Sequence, residues 1–189
     1  MFLLRHGQSH FNLHYGSTRE DPGLRDPGLT ELGRRQVAAA AEILRRHEVR
    51  AIVASPYTRT LETAEIVAET LRLAVAVDPI LGEQAVFTCD IGTPRAALVE
   101  RWPRLALDHI ADEWWPPLAE SEASLEQRCR AFRARMAEGG AWRGTVVVTH
   151  YHVIRTLTGH VLPNAGLVRF DPCGEHPGGG TVVPVPDPC

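Results

Sequence analysis

The chain has 189 residues, 44% hydrophobic and 23% charged, which suits one globular domain over residues 1–189 with a sizeable core and is cramped for two. A net charge of -3 provides no overall basic field for nucleic acid or an anionic membrane, and no apolar run is long enough to span a bilayer. Cys89, Cys129, Cys173 and Cys189 are scattered without a CxxC pair, a pattern of neither a disulfide framework nor a zinc site.

Residues 1–4 form an apolar, strand-like run with no basic, cleavable leader ahead of it, so a cytoplasmic location is expected. Further strand-like runs lie at 51–54, 73–77 and 145–149, with weaker ones at 167–170 and 181–185. The Pro/Gly-rich stretch 21–28, with DPGL written twice, reads as a loop. After it, Val37, Ala41 and Leu44 fall on one helical face, with Thr30 near the start. Leu61, Ala64, Ala68 and Leu71 mark a second helix, for which Ser55 and Pro56 read as N-cap and first position. A third carries Leu125, Cys129, Phe132 and Met136 inward and its arginines outward, with Ser124 and Gln127 as a capping box. Residues 78–120 hold Trp102, Trp114 and Trp115, several prolines and no long period; they read as an irregular insertion with one short helix, able to cap a site.

Near-continuous apolar strands alternating with helices predict an α/β fold, a three-layer α/β/α sandwich around a mostly parallel central sheet. Ligands bind such sheets beyond the carboxyl ends of the strands. There the sequence places Arg5, His6 and Gly7 after the first strand, Arg59 one turn into the helix after the second, and His150 directly after 145–149. Two guanidiniums offer planar donor forks to a dianionic phosphate. Neutral histidine adds a nitrogen nucleophile near pH 7. Gly7 is expected to let backbone approach the phosphoryl group and to contribute an N–H.

LRHGQSHFN at 4–12, SPYTRTLETA at 55–64 and THYHVIR at 149–155 resemble, in order and spacing, the signature segments of the histidine phosphatase superfamily in its phosphoglycerate-mutase-like branch. DPGLTELGRRQ at 26–36 is similar to that family's loop and first helix. The resemblance implies a metal-independent phosphoric monoester hydrolase acting on a small-molecule phosphate ester with no cofactor. In it His6 is the phospho-acceptor, Arg5, Arg59, His150 and Asn12 hold the phosphate, and Glu83 protonates the leaving oxygen, with Asp90 and Glu113 as rival acids. Tyr151 and His152 stand where the family often has small residues, which bears on substrate more than on chemistry. Arg19, Arg25 and the tryptophans are further candidates for selectivity.

Three alternatives remain open at this point. One is a cofactor-dependent phosphoglycerate-type mutase, disfavoured by the short chain. The second is a non-catalytic phospholigand-binding member. The third is a metal-dependent hydrolase built on His6, His10 and His14 at four-residue spacing with His150 and His152; the strand end at Gly7 breaks that helical alignment, and no metal is expected. Oligomeric state is not legible.

Overall fold

The computed structural model describes residues 1–140 and 142–186; Cys189 lies outside them. Six strands, β1 (Phe2–Arg5), β2 (Ala51–Ala54), β3 (Val75–Val77), β4 (Thr145–Thr149), β5 (Leu167–Phe170) and β6 (Gly180–Val183), form one sheet in the order β3-β2-β4-β1-β5-β6. The first four are parallel, and β5 and β6 run antiparallel at one edge. β4 lies at the centre, and all five of its residues are buried.

Side-chain alternation along these strands divides the core in two. Phe2, Leu4, Ile52, Ala54, Val146 and Val148 pack on one face with α2 (Glu31–Leu44) and α3 (Thr58–Leu71). Leu3, Val147 and Val168 pack on the other with α5 (Glu122–Gly139) and α6 (Tyr151–Thr158). The result is the expected three-layer sandwich with a mostly parallel sheet. Among the described residues, no helix is long and apolar enough to cross a membrane.

α2 starts where the sequence indicates, with the Thr30 side chain accepting the Gly33 N–H. α3 does not. It begins at Thr58 after Tyr57, with no side-chain cap. The Ser55 hydroxyl lies 2.9 Å from His150 Nε2 instead. α5 starts before the expected box, capped by Ser121 on the Ser124 N–H. β3 begins two residues later than the apolar run. The expected set also omits α1 (His10–Thr18), whose capping box pairs Ser9 with Asn12. Its polar, glycine-containing sequence shows no apolar stripe, so periodicity could not reveal it.

The arginines of α5 are not all turned outward. Arg133 is buried and donates to the carbonyls of Pro172, Leu157 and Gly174. Arg128 reaches the carbonyls of Ile80, Gly82 and Glu83 and pairs with Glu120. Residues 78–120 contain α4 (Arg95–Arg101) and two 3-10 turns, Pro79–Leu81 and Thr88–Asp90. Trp102 and Trp114 are core residues, the latter edge-on to Tyr57 at 4.7 Å. The repeated DPG stretch is a clamp as well as a loop: Asp21 accepts the Thr88 N–H, and buried Asp26 accepts from Thr58 and from Thr93.

Candidate active site

Beyond the carboxyl ends of β1, β2 and β4 lies a pocket of about 580 Å³, lined by Arg5, His6, Asn12, Arg59, Glu83, Asp90, Tyr151 and His152 among others. His6 leaves the end of β1 with its backbone N–H on the Thr149 carbonyl. Its ring is buried, and Nδ1 lies 2.8 Å from the Gly7 carbonyl oxygen. A carbonyl only accepts, so Nδ1 carries the proton and Nε2 keeps its lone pair. Burial, then the Arg59 and Arg5 charges, hold its pKa well below the ordinary histidine value.

His150 is fully buried at the junction of β4 and α6, with its ring centroid 5.3 Å from that of His6. The Ser55 hydroxyl lies 2.9 Å from Nε2, and Nδ1 is a buried atom without a hydrogen-bond partner among the described residues. Burial, then Arg59 and His6, keep this ring neutral as well. Arg5 donates to the Leu162 carbonyl and lies 5.0 Å from the centre of the Tyr151 ring, and its Nε is also buried without a partner. Arg5 lines the pocket, and an unpaired buried guanidinium N–H there suits an oxyanion, because a buried donor left unpaired is costly; His150 sits behind the lining, against the His6 ring.

Arg59 is 3% exposed and heavily engaged: it donates to the Cys89 carbonyl and to Asp90 Oδ1, and stands 4.4 Å over the Tyr57 ring. Asp90 in turn accepts the Val86 and Phe87 N–H groups. The rival carboxylate is therefore an anchor for the guanidinium and its loop. Glu113 is exposed and does not line the pocket; nor does Arg25, whereas Arg19 does.

Glu83 is 8% exposed and accepts the backbone N–H groups of Gln84 and His152, with His152 Nδ1 at 3.4 Å. Burial alone raises a carboxyl pKa. The His152 imidazole beside it, then Arg59 and the Gln84 N–H, outweigh it and hold Glu83 below the ordinary value. His152 shifts upward in response, mainly through the Glu83 carboxylate beside it and against its own partial burial. Arg128, on the inward face of α5, fixes the Glu83 carbonyl from behind at 3.0 Å.

Asn12 sits in the first turn of α1. Its Oδ1 accepts from the Ser9 N–H, the Ser9 hydroxyl and Asn164 Nδ2, which leaves its own amide Nδ2, a donor, as the remaining polar atom. His10 and His14 are exposed on the same helix and do not line the pocket.

Gly7 has a different role from the one expected. Its N–H goes to Thr63 Oγ1, and a Cβ there would stand 2.4 Å from the Gly33 carbonyl. A Cβ on Gly33 would stand 2.1 Å from the Gln8 carbonyl. The two glycines let the His6 loop cross the start of α2 at backbone distance. Gly33, Ser55, Arg128 and Asn164 were missed as supporting residues. Only Arg128 left a signal, lying three residues after Leu125 on a buried helical face.

The family model described as histidine phosphatase superfamily (branch 1) matches residues 1–183. A Mycobacterium tuberculosis protein described as bifunctional is 37% identical over 159 residues, covering 83% of this chain and 42% of that protein. The chain thus spans less than half the length of that relative. A glucosyl-3-phosphoglycerate phosphatase of the same species is 32% identical over 171 residues, covering 86% of this chain and 74% of the relative. The solved structure of a mycobacterial glucosyl-3-phosphoglycerate phosphatase superposes with a TM-score of 0.62 at 27% identity, covering 89% of this chain and 87% of that one.

Proposed function

The chain belongs to the histidine phosphatase superfamily, and from that membership we propose that it hydrolyses small phosphate monoesters through a phosphohistidine formed on His6. The observation that carries this reading is the His6 ring itself, with Nδ1 tied to the Gly7 carbonyl. Its neutral Nε2 faces no competition from protonation near pH 7, because burial and two guanidiniums oppose the charged form.

In the first step Nε2 attacks phosphorus and the ester P–O bond breaks. The loose transition state spreads charge over three equatorial oxygens. Arg5, Arg59, Asn12 Nδ2 and, with Ser55 donating to its Nε2, the His150 Nδ1–H meet that charge with donors already fixed by neighbouring bonds, which is where most of the rate enhancement lies. Glu83 takes up a proton as the phosphate dianion enters beside it, since like charge raises a carboxyl pKa. It passes that proton to the departing oxygen. In the second step the Glu83 carboxylate accepts a proton from water, whose oxygen attacks phosphorus, and the N–P bond breaks to release inorganic phosphate and neutral His6. Both steps balance without a metal ion, the two guanidiniums supplying the positive charge.

The test is phosphate release from p-nitrophenyl phosphate in EDTA, with wild type and His6→Ala compared and with acid-labile, base-stable label trapped on the protein from a ³²P ester. Turnover in EDTA and trapped label, both absent from His6→Ala, are expected. Activity abolished by EDTA would instead favour the metal-dependent reading. Phosphate binding with no turnover of any ester would favour the non-catalytic one, and activity that needs a bisphosphate primer would mark a mutase.

A further inference from the structure

One wall of the pocket is aromatic. Phe11 and Tyr15 lie one turn apart on α1 with rings stacked at 5.2 Å and an interplanar angle of 14°. Phe87, from the clamped segment before the second 3-10 turn, closes the cluster at 5.2 Å from Phe11 and 5.1 Å from Tyr15. Val86 beside it is 47% exposed, and all four side chains line the same pocket as His6. Tyr15 and Phe87 are only half-buried, so the cluster is not sealed into the core.

The carboxylates beside this wall are already engaged. Glu83 is paired with His152 and Asp90 with Arg59. Ser9, Asn12 and Asn164 bond to one another. Arg5 and Arg19 also line the pocket: Arg5 donates to the Leu162 carbonyl, and Arg19, at the end of α1, has its guanidinium 5.8 Å from the Tyr15 ring centre. A hydroxyl-rich leaving group placed against the faces of Phe11 and Phe87 loses water without gaining partners from them, which is unfavourable. A flat apolar ring removes its own surface and that of three aromatic side chains from water, and gains edge or offset stacking besides.

We infer that this pocket selects phosphate monoesters whose leaving group carries a planar aromatic ring, seated against Phe11, Tyr15 and Phe87. The inference rests on the proposed function only for the placement of the phosphate at His6.

Two measurements separate the wall from the chemistry. The first compares kcat/KM for 2-phenylethyl phosphate and glycerol 3-phosphate, both alkyl esters, so the ring and not an activated phenolate is being read. Wild type is expected to prefer the phenylethyl ester by on the order of tenfold, mainly through KM, and the ratio is expected to fall toward one in Phe87→Leu and Tyr15→Ala. A wild-type ratio of one, a preference for the polyol, or a ratio unmoved by both substitutions would overturn the inference. The second measures binding of phenylphosphonate and methylphosphonate by calorimetry, which needs no turnover. If neither ester is hydrolysed while phenylphosphonate still binds more tightly than methylphosphonate, the phosphatase reading fails and the aromatic wall stands. If esters are hydrolysed and the two phosphonates bind alike, the wall fails and the phosphatase reading stands.

Discussion

Glu83 and His152 form a carboxylate–imidazole pair at 3.4 Å in which the His152 backbone N–H, 3.1 Å from Oε1, holds the same carboxylate oxygen. One residue thus supplies both a fixed dipole and a titrating charge to the proposed proton donor.

That pairing sets the pH response. His152 lowers the Glu83 pKa, so His152→Ala leaves burial as the dominant influence and raises it. A general acid works only while protonated. The basic limb of the single-turnover phosphorylation rate is therefore expected to move to higher pH in His152→Ala, as read by rapid quench. An unmoved limb would remove Glu83 from the role of acid.

The same pair bears on stability. Glu83, depressed in the fold, stabilises above its ordinary pKa of 4.5 and loses that contribution as pH falls through the folded value. His152, raised in the fold, stabilises below its ordinary 6.5 and loses that contribution as pH rises through the folded value. Both are complete together only between about 4.5 and 6.5. Urea denaturation should show the gap between wild type and His152→Ala at its widest in that window and narrowing on either side. A gap independent of pH would show that the pair does not contribute through charge.

Asp90 and Arg59 are paired at 2.9 Å with both side chains almost wholly buried. Asp90→Ala leaves an uncompensated guanidinium in the interior and frees the Val86 and Phe87 N–H groups, so about 3–5 kcal/mol of destabilisation is expected. Thermal unfolding and kcat/KM should fall together, because Arg59 loses its orientation. A well-folded Asp90→Ala with wild-type activity would show that Arg59 does not serve the pocket.

The close crossing at Gly7 and Gly33 gives a third handle. Gly33→Ala places a Cβ against the Gln8 carbonyl, and backbone must shift to admit it. A loss of roughly 1–3 kcal/mol is expected, with kcat reduced because the displaced loop carries His6. Unchanged kcat in this variant would show that the loop absorbs the methyl group without moving His6.

Arg128→Met keeps length and apolar stem while removing the donors to Gly82 and Glu83. Activity is expected to fall at least tenfold in kcat with KM nearly constant, as for a residue that acts by positioning another. A change confined to KM would place Arg128 in substrate binding instead.

The sheet was legible because four strands are nearly continuous apolar runs, and the strand ends carrying Arg5, His6, Arg59 and His150 followed from it. Glu83 could be named only through the family resemblance, since nothing local distinguishes it from Asp90. What periodicity could not show is long-range polar bonding. Ser55 reads as a helix cap from its neighbours, yet its hydroxyl is directed to His150, 95 residues away. The inward turns of Arg128 and Arg133 are hidden for the same reason: arginine on a helix normally faces water, and only the folded chain reveals the carbonyls that receive them.

The two aspartates of the repeated DPG stretch hold the segment bearing Val86 and Phe87 at Thr88 and Thr93, and Asp90 holds it to Arg59. Cys89 and Asp90 both fasten the segment and line the pocket, whereas the side chains of Val86 and Phe87 take no part in the fastening. It can therefore be treated as a replaceable cassette: libraries varying positions 86 and 87, with Thr88, Asp90 and Thr93 kept, could retarget the enzyme while leaving the reacting groups where they are.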